Sequence, residues 1–339
     1  MEATENDNQF FTVSAVIPAY NIGKLVARAI DSVLAQTHKA DEIIVVDDGS
    51  TDDTADIIKS YGSKVKYIYQ ANLGLAGARN TGIRVATSQW IALLDGDDEW
   101  LPDNLSLQMA LLKRNPDLVW SAGNYINCLC NENRRGPDLD IGKARKILRG
   151  KDCFDDYYDA FMANAGGSSN TIIIKRSVLG EVGLFREEMP CTEDTDMWFR
   201  MAVFWPKIGY IPDPIAVYHL HRPGSLLHVL TIAERQDVIL DMFDRIIKMA
   251  RDNNRMDKFK PCLVFCLHRR IRSILFEHKA AFLVPDILAR FNQYLSTPYK
   301  ITIRLLVKFP RATAAVLHMT SKIIRLLKLR RKVLRRPRK

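Results

Sequence analysis

Short apolar runs and helical spacings alternate along the first hundred residues. Val13 to Pro18 is a near-continuous apolar run closed by proline, which predicts a buried strand. From Gly23 to Gln36, Leu25, Val26, Ala29, Ile30, Val33 and Leu34 recur at helical spacing. Glu42 to Asp47 repeats the strand pattern, and Gly49, Ser50 and Thr51 then supply a turn and cap to a short helix ending near Ser60. Val65 to Tyr69 predicts a third strand, Gly74 to Ala86 a helix of small residues, and Trp90 to Asp95 a fourth strand.

Strand–helix alternation with apolar strands predicts an α/β fold: a mostly parallel, Rossmann-like sheet with helices on both faces. Ligands of such sheets sit beyond the carboxyl ends of the strands. Here those ends are Pro18-Ala19-Tyr20-Asn21, Asp47-Asp48-Gly49-Ser50 and Asp95-Gly96-Asp97-Asp98, so three strands deliver polar or acidic groups to one edge. Beyond residue 100 the pattern loosens. It predicts a helix over 101–115, a strand over 118–128, a polar loop over 129–150, a strand from Thr171 to Ile174 after Gly166-Gly167-Ser168-Ser169, and a helix from Thr192 to Phe204. Ala216 to His221 reads as extended, and from Thr231 the chain reads as helical, with breaks at Pro285 and at Ser296 to Pro298.

Composition adds little until charge is located. The 339 residues are 47% hydrophobic and 26% charged, which excludes wholesale disorder. No apolar run reaches the length of a membrane span, and the polar first residues (1–11, expected to be disordered) are not a secretory leader, so a cytoplasmic location is expected. Residues 300–339 hold fourteen Lys and Arg and no Asp or Glu, leaving 35 basic against 39 acidic groups elsewhere. The net charge of +10 is therefore a basic tail on a mildly acidic body. Cys128, Cys130, Cys153, Cys191, Cys262 and Cys266 form no C-x-x-C and are expected as reduced, mostly buried thiols.

The candidate chemistry centres on Asp95-Gly96-Asp97-Asp98. Carboxylates at a strand end suit a hard divalent cation and leave ligand positions for phosphate and water; alternatively, acidic residues there simply make a turn before a helix. Seven Ser, Thr or Asp residues within Asp47 to Thr54 exceed the need of one helix cap, and a strand-end Asp can accept hydrogen bonds from a base or ribose. Tyr20 and Asn21 place a ring and an amide at the neighbouring strand end, and Asn72 to Gly82 is a loop entering a close-packing helix, with Arg79 as a charge for an anion. Thr192 to Asp196 combines a cap with Glu193, Asp194 and Asp196 in the first turn, where a helix dipole favours negative charge.

The motifs A-V-I-P-A-Y-N, I-I-V-V-D-D-G-S-T-D-D-T, N-L-G-L-A-G-A-R-N-T-G-I, I-A-L-L-D-G-D-D-E-W and T-E-D-T-D-M-W, in that order over residues 12–225, resemble the family-2 glycosyltransferases, an inverting group with a GT-A fold. The resemblance implies a GT-A domain over 12–228 followed by a helical region over 229–339. It implies that Pro18, Ala19, Tyr20, Asn21, Asp47, Asp48, Asn72 and Arg79 line a nucleotide-sugar site and that Asp95 faces the donor. Asp97, with Asp95, would hold Mn²⁺ or Mg²⁺, His221 would be a further ligand and Arg222 a phosphate contact. Asp194 would be the catalytic base with Glu193 as its positioning neighbour, and Asp196 is the rival base. His219 stands where many relatives have arginine.

The implied activity is metal-dependent, inverting, hexosyltransferase-type transfer from a nucleoside diphosphate sugar, UDP-sugars first, to a glycan or lipid-linked acceptor in cell-surface polysaccharide assembly. The alternative is a non-catalytic GT-A-like binding module, disfavoured because such a module has no use for an acceptor-side base. Residues 316–339 form a basic helix with an apolar stripe (Val316, Met319, Ile323, Leu326, Leu327, Val333), which suits an anionic membrane surface on the inner face of the cell membrane. Nucleic acid is disfavoured, because no aromatic residue follows Phe309 to stack on bases.

Overall fold

A computed structural model describes residues 11–129, 134–220 and 230–319. Its strands are β1 (Val13–Ala19), β2 (Glu42–Asp47), β3 (Lys66–Tyr69), β4 (Trp90–Leu93), β5 (Glu99–Trp100), β6 (Trp120–Leu129), β7 (Arg134–Pro137), β8 (Cys153–Phe154), β9 (Ile173–Lys175) and β10 (Ile208–Leu220). Among the described residues these form one sheet in the order β3-β2-β1-β4-β9-β6-β10-β5, with β7 beside β6 and β8 beside β10. The chain divides into two compact units, Met1–Leu226 with Arg245–Arg255, and Leu227–Asp244 with Met256–Lys339.

The first unit is the expected α/β architecture. β1 pairs in parallel with β2 and β4, and β2 with β3. All seven residues of β1 are buried because helices cover both faces. Val13, Ala15 and Ile17 point to one face and pack with Val26, Ala29, Ile30 and Val33 of helix Gly23–Leu34. Val16 points to the other, against helix Gly74–Val85. That approach depends on glycine: a Cβ at Gly82 would lie 2.3 Å from Val16 Cγ1. Gly82→Ala should therefore cost about 1–3 kcal/mol of stability through overpacking, seen as a lower denaturant midpoint at unchanged m.

From β4 onward the sheet is mixed. β9 runs antiparallel to both β4 and β6, and β6 is parallel to β10. A second core gathers behind these strands, where Trp120 meets Tyr157 with ring centroids 4.9 Å apart and Tyr158 meets Phe199 at 5.6 Å. The expected loop over 129–150 is corrected: it contains β7 and a helix, Ile141–Leu148, whose cap is the Asp140 side chain accepting from Lys143 N at 2.9 Å. The strand expected from Thr171 starts at Ile173, because Ser169–Thr171 make a 3₁₀ turn with Thr171 Oγ1 accepting from Ser168 N. The extended segment from Ala216 is the end of the longer β10.

The second unit is helical, as expected. Pro285 and Pro298 sit in the first turns of helices Val284–Arg290 and Thr297–Lys308, where a missing N–H costs nothing. An unexpected break separates Ile232–Asp252 from Met256–Phe276: Asn254 is left-handed (φ 54°), and Arg255 N donates to Ala250 O. Cys128, Cys153 and Cys262 are buried thiols, and no disulfide joins the described cysteines. No helix of the described residues is long and apolar enough to cross a membrane.

Candidate active site

The carboxyl ends of β1 and β2 are sewn together. Asp48 N donates to Ala19 O at 2.8 Å, Asn21 N to Ser50 Oγ at 3.0 Å, and Thr51 N to Asn21 Oδ1 at 2.8 Å. Thr54 Oγ1 accepts from both Ile22 N and Gly23 N, which satisfies the opening amides of helix Gly23–Leu34 from another element. Pro18 and Ala19 are buried within β1, whereas Tyr20 is 47% exposed and Asn21, left-handed at φ 47°, stands beside it.

Asp47 and Asp48 make contacts within the protein that their sequence position did not announce. Both are buried, and their carboxylates are engaged internally. Asp47 accepts from Ser50 N at 2.9 Å and from Tyr67 Oη at 2.9 Å; burial and this carboxylate push the Tyr67 phenol up to about 12. Asp48 Oδ1 accepts from Gln70 Nε2 at 2.6 Å and Leu73 N at 2.8 Å. They shape the loops at this edge instead of presenting open carboxylates. Exposed polar groups there include Tyr20, Asn21, Thr51, Asp52, Asp53 and Asn72; the Asn72 Oδ1 accepts from Gly74 N at the entry of the next helix.

Three carboxylates leave the end of β4 in different directions. Asp95 accepts from Arg79 Nη2 at 2.6 Å. Asp98 turns inward, accepting from Asn170 Nδ2 at 2.8 Å and His219 N at 2.8 Å; burial first, then the charges of Asp95 and Asp97, push it well above the usual carboxylate range. Asp97 remains half-buried between them. Its backbone carbonyl accepts from Arg28 Nη2 of helix Gly23–Leu34, a contact with no advance sign in the sequence. Gly96 lets the loop lie on β1, since a Cβ there would meet Ile22 Cδ1 at 2.4 Å and Pro18 O at 2.6 Å.

Arg79 joins this loop to the Glu193–Phe204 helix. The side chain is 2% exposed, with Nη2 on Asp95 and Nη1 on Glu193 Oε1 at 2.8 Å. Its guanidinium also lies over the Phe185 ring, 5.3 Å from the centroid, on a segment that Asn80 grips through both Phe185 N and Phe185 O. Burial works against the Arg79 charge, but Asp95 and Glu193 more than offset it and push its pKa up. Arg79 is thus an internal tie between two carboxylates 98 residues apart in the chain. Burial and the Asp194 charge hold Glu193 above its ordinary range, with Arg79 opposing.

Asp194 is half-buried in the first helical turn, its Oδ1 accepting from Thr195 N at 2.6 Å and Thr195 Oγ1 at 3.2 Å. The rival, Asp196, is fully buried and ion-paired to Arg200 Nε at 2.8 Å and Arg186 Nε at 3.3 Å, so it cannot meet a substrate hydroxyl. Thr192 does not cap with its hydroxyl, which donates instead to Cys191 O. It is left-handed at φ 60°, a costly conformation for a β-branched residue, immediately before the acidic pair. Burial, then the charges of Asp98, Asp95, Asp97 and Asp194, push up the pKa of the Tyr218 phenol on β10. His219 Nε2 lies 3.2 Å from Glu99 Oε1. His221 and Arg222 fall outside the described residues.

The described residues contain no cluster of three or more His, Cys, Asp or Glu able to hold a metal unaided. Asp97 with Asp95 fits the other kind of site: hard oxygen donors, one or two per ion, with substrate phosphates and water completing the shell.

Residues 14–169 match the family model described as glycosyl transferase family 2. Over this segment the chain is similar to that family. A relative in Escherichia coli, the UDP-Glc:alpha-D-GlcNAc-diphosphoundecaprenol beta-1,3-glucosyltransferase WfgD, is 35% identical over 174 residues, covering 50% of this chain and 62% of WfgD. The chain spans between 27% and 64% of the length of the curated relatives that it matches here. Two solved structures share the fold. S. aureus TarS 1–349 in complex with UDP-GlcNAc aligns with a TM-score of 0.55 at 16% identity, over 90% of this chain and 89% of that one. The mannosyltransferase PcManGT from Pyrobaculum calidifontis in complex with GDP-Man and Mn²⁺ aligns with a TM-score of 0.55 at 19% identity, over 92% and 84%. The fold of this domain is GT-A.

Proposed function

We propose that the protein transfers a sugar, with inversion, from a UDP-sugar to a hydroxyl of a lipid-linked saccharide. The observation that carries this reading is the Arg79 tie, which sets the Asp95–Asp98 loop beside Glu193 and Asp194. A nucleotide-binding edge alone would have no need of a second carboxylate group held there. The UDP-sugar and the diphosphate-linked acceptor are taken from the substrates named for WfgD and from the UDP-GlcNAc bound to TarS.

In this mechanism Tyr20, Asn21 and Asn72 contact the nucleotide over the floor built by Asp47 and Asp48. Asp97, with Asp95, would hold Mn²⁺ or Mg²⁺, which supplies positive charge to the diphosphate as it leaves. Asp194 takes the proton of the acceptor hydroxyl while the new C–O bond forms at the anomeric carbon and the bond to the diphosphate oxygen breaks. The donors from Thr195 hold the Asp194 carboxylate at the helix start. Arg79 is a positioning residue that keeps Glu193 and Asp95 in register.

Calorimetry with UDP, GDP, CDP and dTDP, each with and without Mn²⁺, tests the reading. UDP should bind only with Mn²⁺, and Asp97→Ala should weaken it by at least about tenfold, one charge-assisted contact's worth. Binding of no nucleotide by the folded protein, or binding indifferent to both metal and Asp97, would overturn it.

A further inference from the structure

In the helical unit, helix Thr297–Lys308 and the helix over 310–319 are each packed on one side only. Ile303 is buried, and Tyr299 lies against His268 with ring centroids 4.0 Å apart. Thr313 and Ala314 are buried, and His318 lies against Phe276 at 3.7 Å. Both helices thus rest on Met256–Phe276 and point their other sides away from it. Thr313 fixes the joint between them, its amide donating to Phe309 O and its hydroxyl to Leu306 O.

The outward sides are apolar. Ile301, Leu305 and Phe309 follow at intervals of four residues and Val316 and Met319 at three; all five are more than half exposed, from 54% to 67%. Clustered large apolar side chains in water mark an interaction surface. Arg304, Lys308 and Arg311 are exposed among them, and no acidic residue occurs from 300 to 339.

We propose that this face docks on an anionic lipid surface, with the five apolar side chains at the headgroup boundary and the three cations on lipid phosphates. Charge decides the partner. A second copy would bring two all-basic faces together, and a nucleic acid would leave the apolar stripe in water. The proposal extends the basic-tail expectation to a packed, described surface; residues 320–339 lie outside the described part. It stands independently of the transferase reading.

Flotation of the full chain with phosphatidylcholine vesicles, and with the same vesicles containing phosphatidylglycerol, tests it. The protein should float with the anionic vesicles only, and less as salt rises. The double variant Leu305→Ser, Phe309→Ser retains every charge and should bind at least about tenfold more weakly, since two buried apolar side chains are lost, while melting as the wild type does. Anionic binding unchanged in that variant would overturn the role of this face. So would a wild-type dimer in light scattering that the variant turns into a monomer, or retention of an RNA probe that falls in parallel with the substitutions.

Discussion

Asp194→Asn is expected to lower turnover by about a thousandfold while leaving UDP affinity within about twofold. The amide keeps the size of the side chain and can still accept from Thr195 N, so the helix start should fold as before. What it loses is the ability to take a proton. Release of nucleoside diphosphate in the presence of acceptor gives the rate, calorimetry the affinity. Asp196→Asn makes the contrast: Arg200 and Arg186 would lose a buried partner, so stability should fall while the folded fraction still turns over. Undiminished turnover in Asp194→Asn would remove this residue from the chemistry.

Arg79→Met should cost about 3–5 kcal/mol of folding stability, because it leaves Asp95 and Glu193 facing each other without their shared cation in a buried site. The deficit should depend on pH. Glu193 already sits above its usual range through burial and Asp194, and Arg79 is what pulls it down. Without Arg79 it rises further, so the folded variant binds more protons than the unfolded chain. Stability of the variant then falls as pH rises from about 4.3, the ordinary Glu value, through the folded value. Chemical denaturation should show a smaller gap to wild type at about pH 5 than at about pH 7.5. A gap independent of pH would mean that Arg79 acts through packing on Phe185 and not through charge.

The parallel half of the sheet was legible because β1, β2 and β4 are buried on both faces and so read as apolar runs, with their helices at clear spacing. β5 and β8 are two residues long and carry no pattern. Helix Ile141–Leu148 was hidden by Lys143, Arg145 and Lys146, which make its sequence look like loop, although Asp140 is an ordinary cap. At the proposed site, the residue types pointed to this strand edge but not to the contacts these side chains make within the protein. Asp47 and Asp48 look like open carboxylates until Tyr67, Gln70 and Leu73 arrive to use them. Arg79 looks like an anion contact because both partners lie elsewhere in the chain. Asp194 and Asp196, two positions apart, are separated only by the packing that buries the second against Arg200.

The span of the Arg79–Glu193 contact also orders events during folding. β1 to β4 are joined by short connections and can pair as soon as the first hundred residues are available, whereas closing the Arg79–Glu193 contact must gather 114 residues of chain. β9 must also insert between β4 and β6 before the sheet is complete. The edge formed by β1, β2 and β4 is therefore expected to form early and the acidic helix start late. A chain caught between these stages would hold Arg79 with one carboxylate in place of two, able to engage a nucleotide but not to transfer from it. Refolding followed in parallel by nucleotide binding and by turnover would then give two separate time courses.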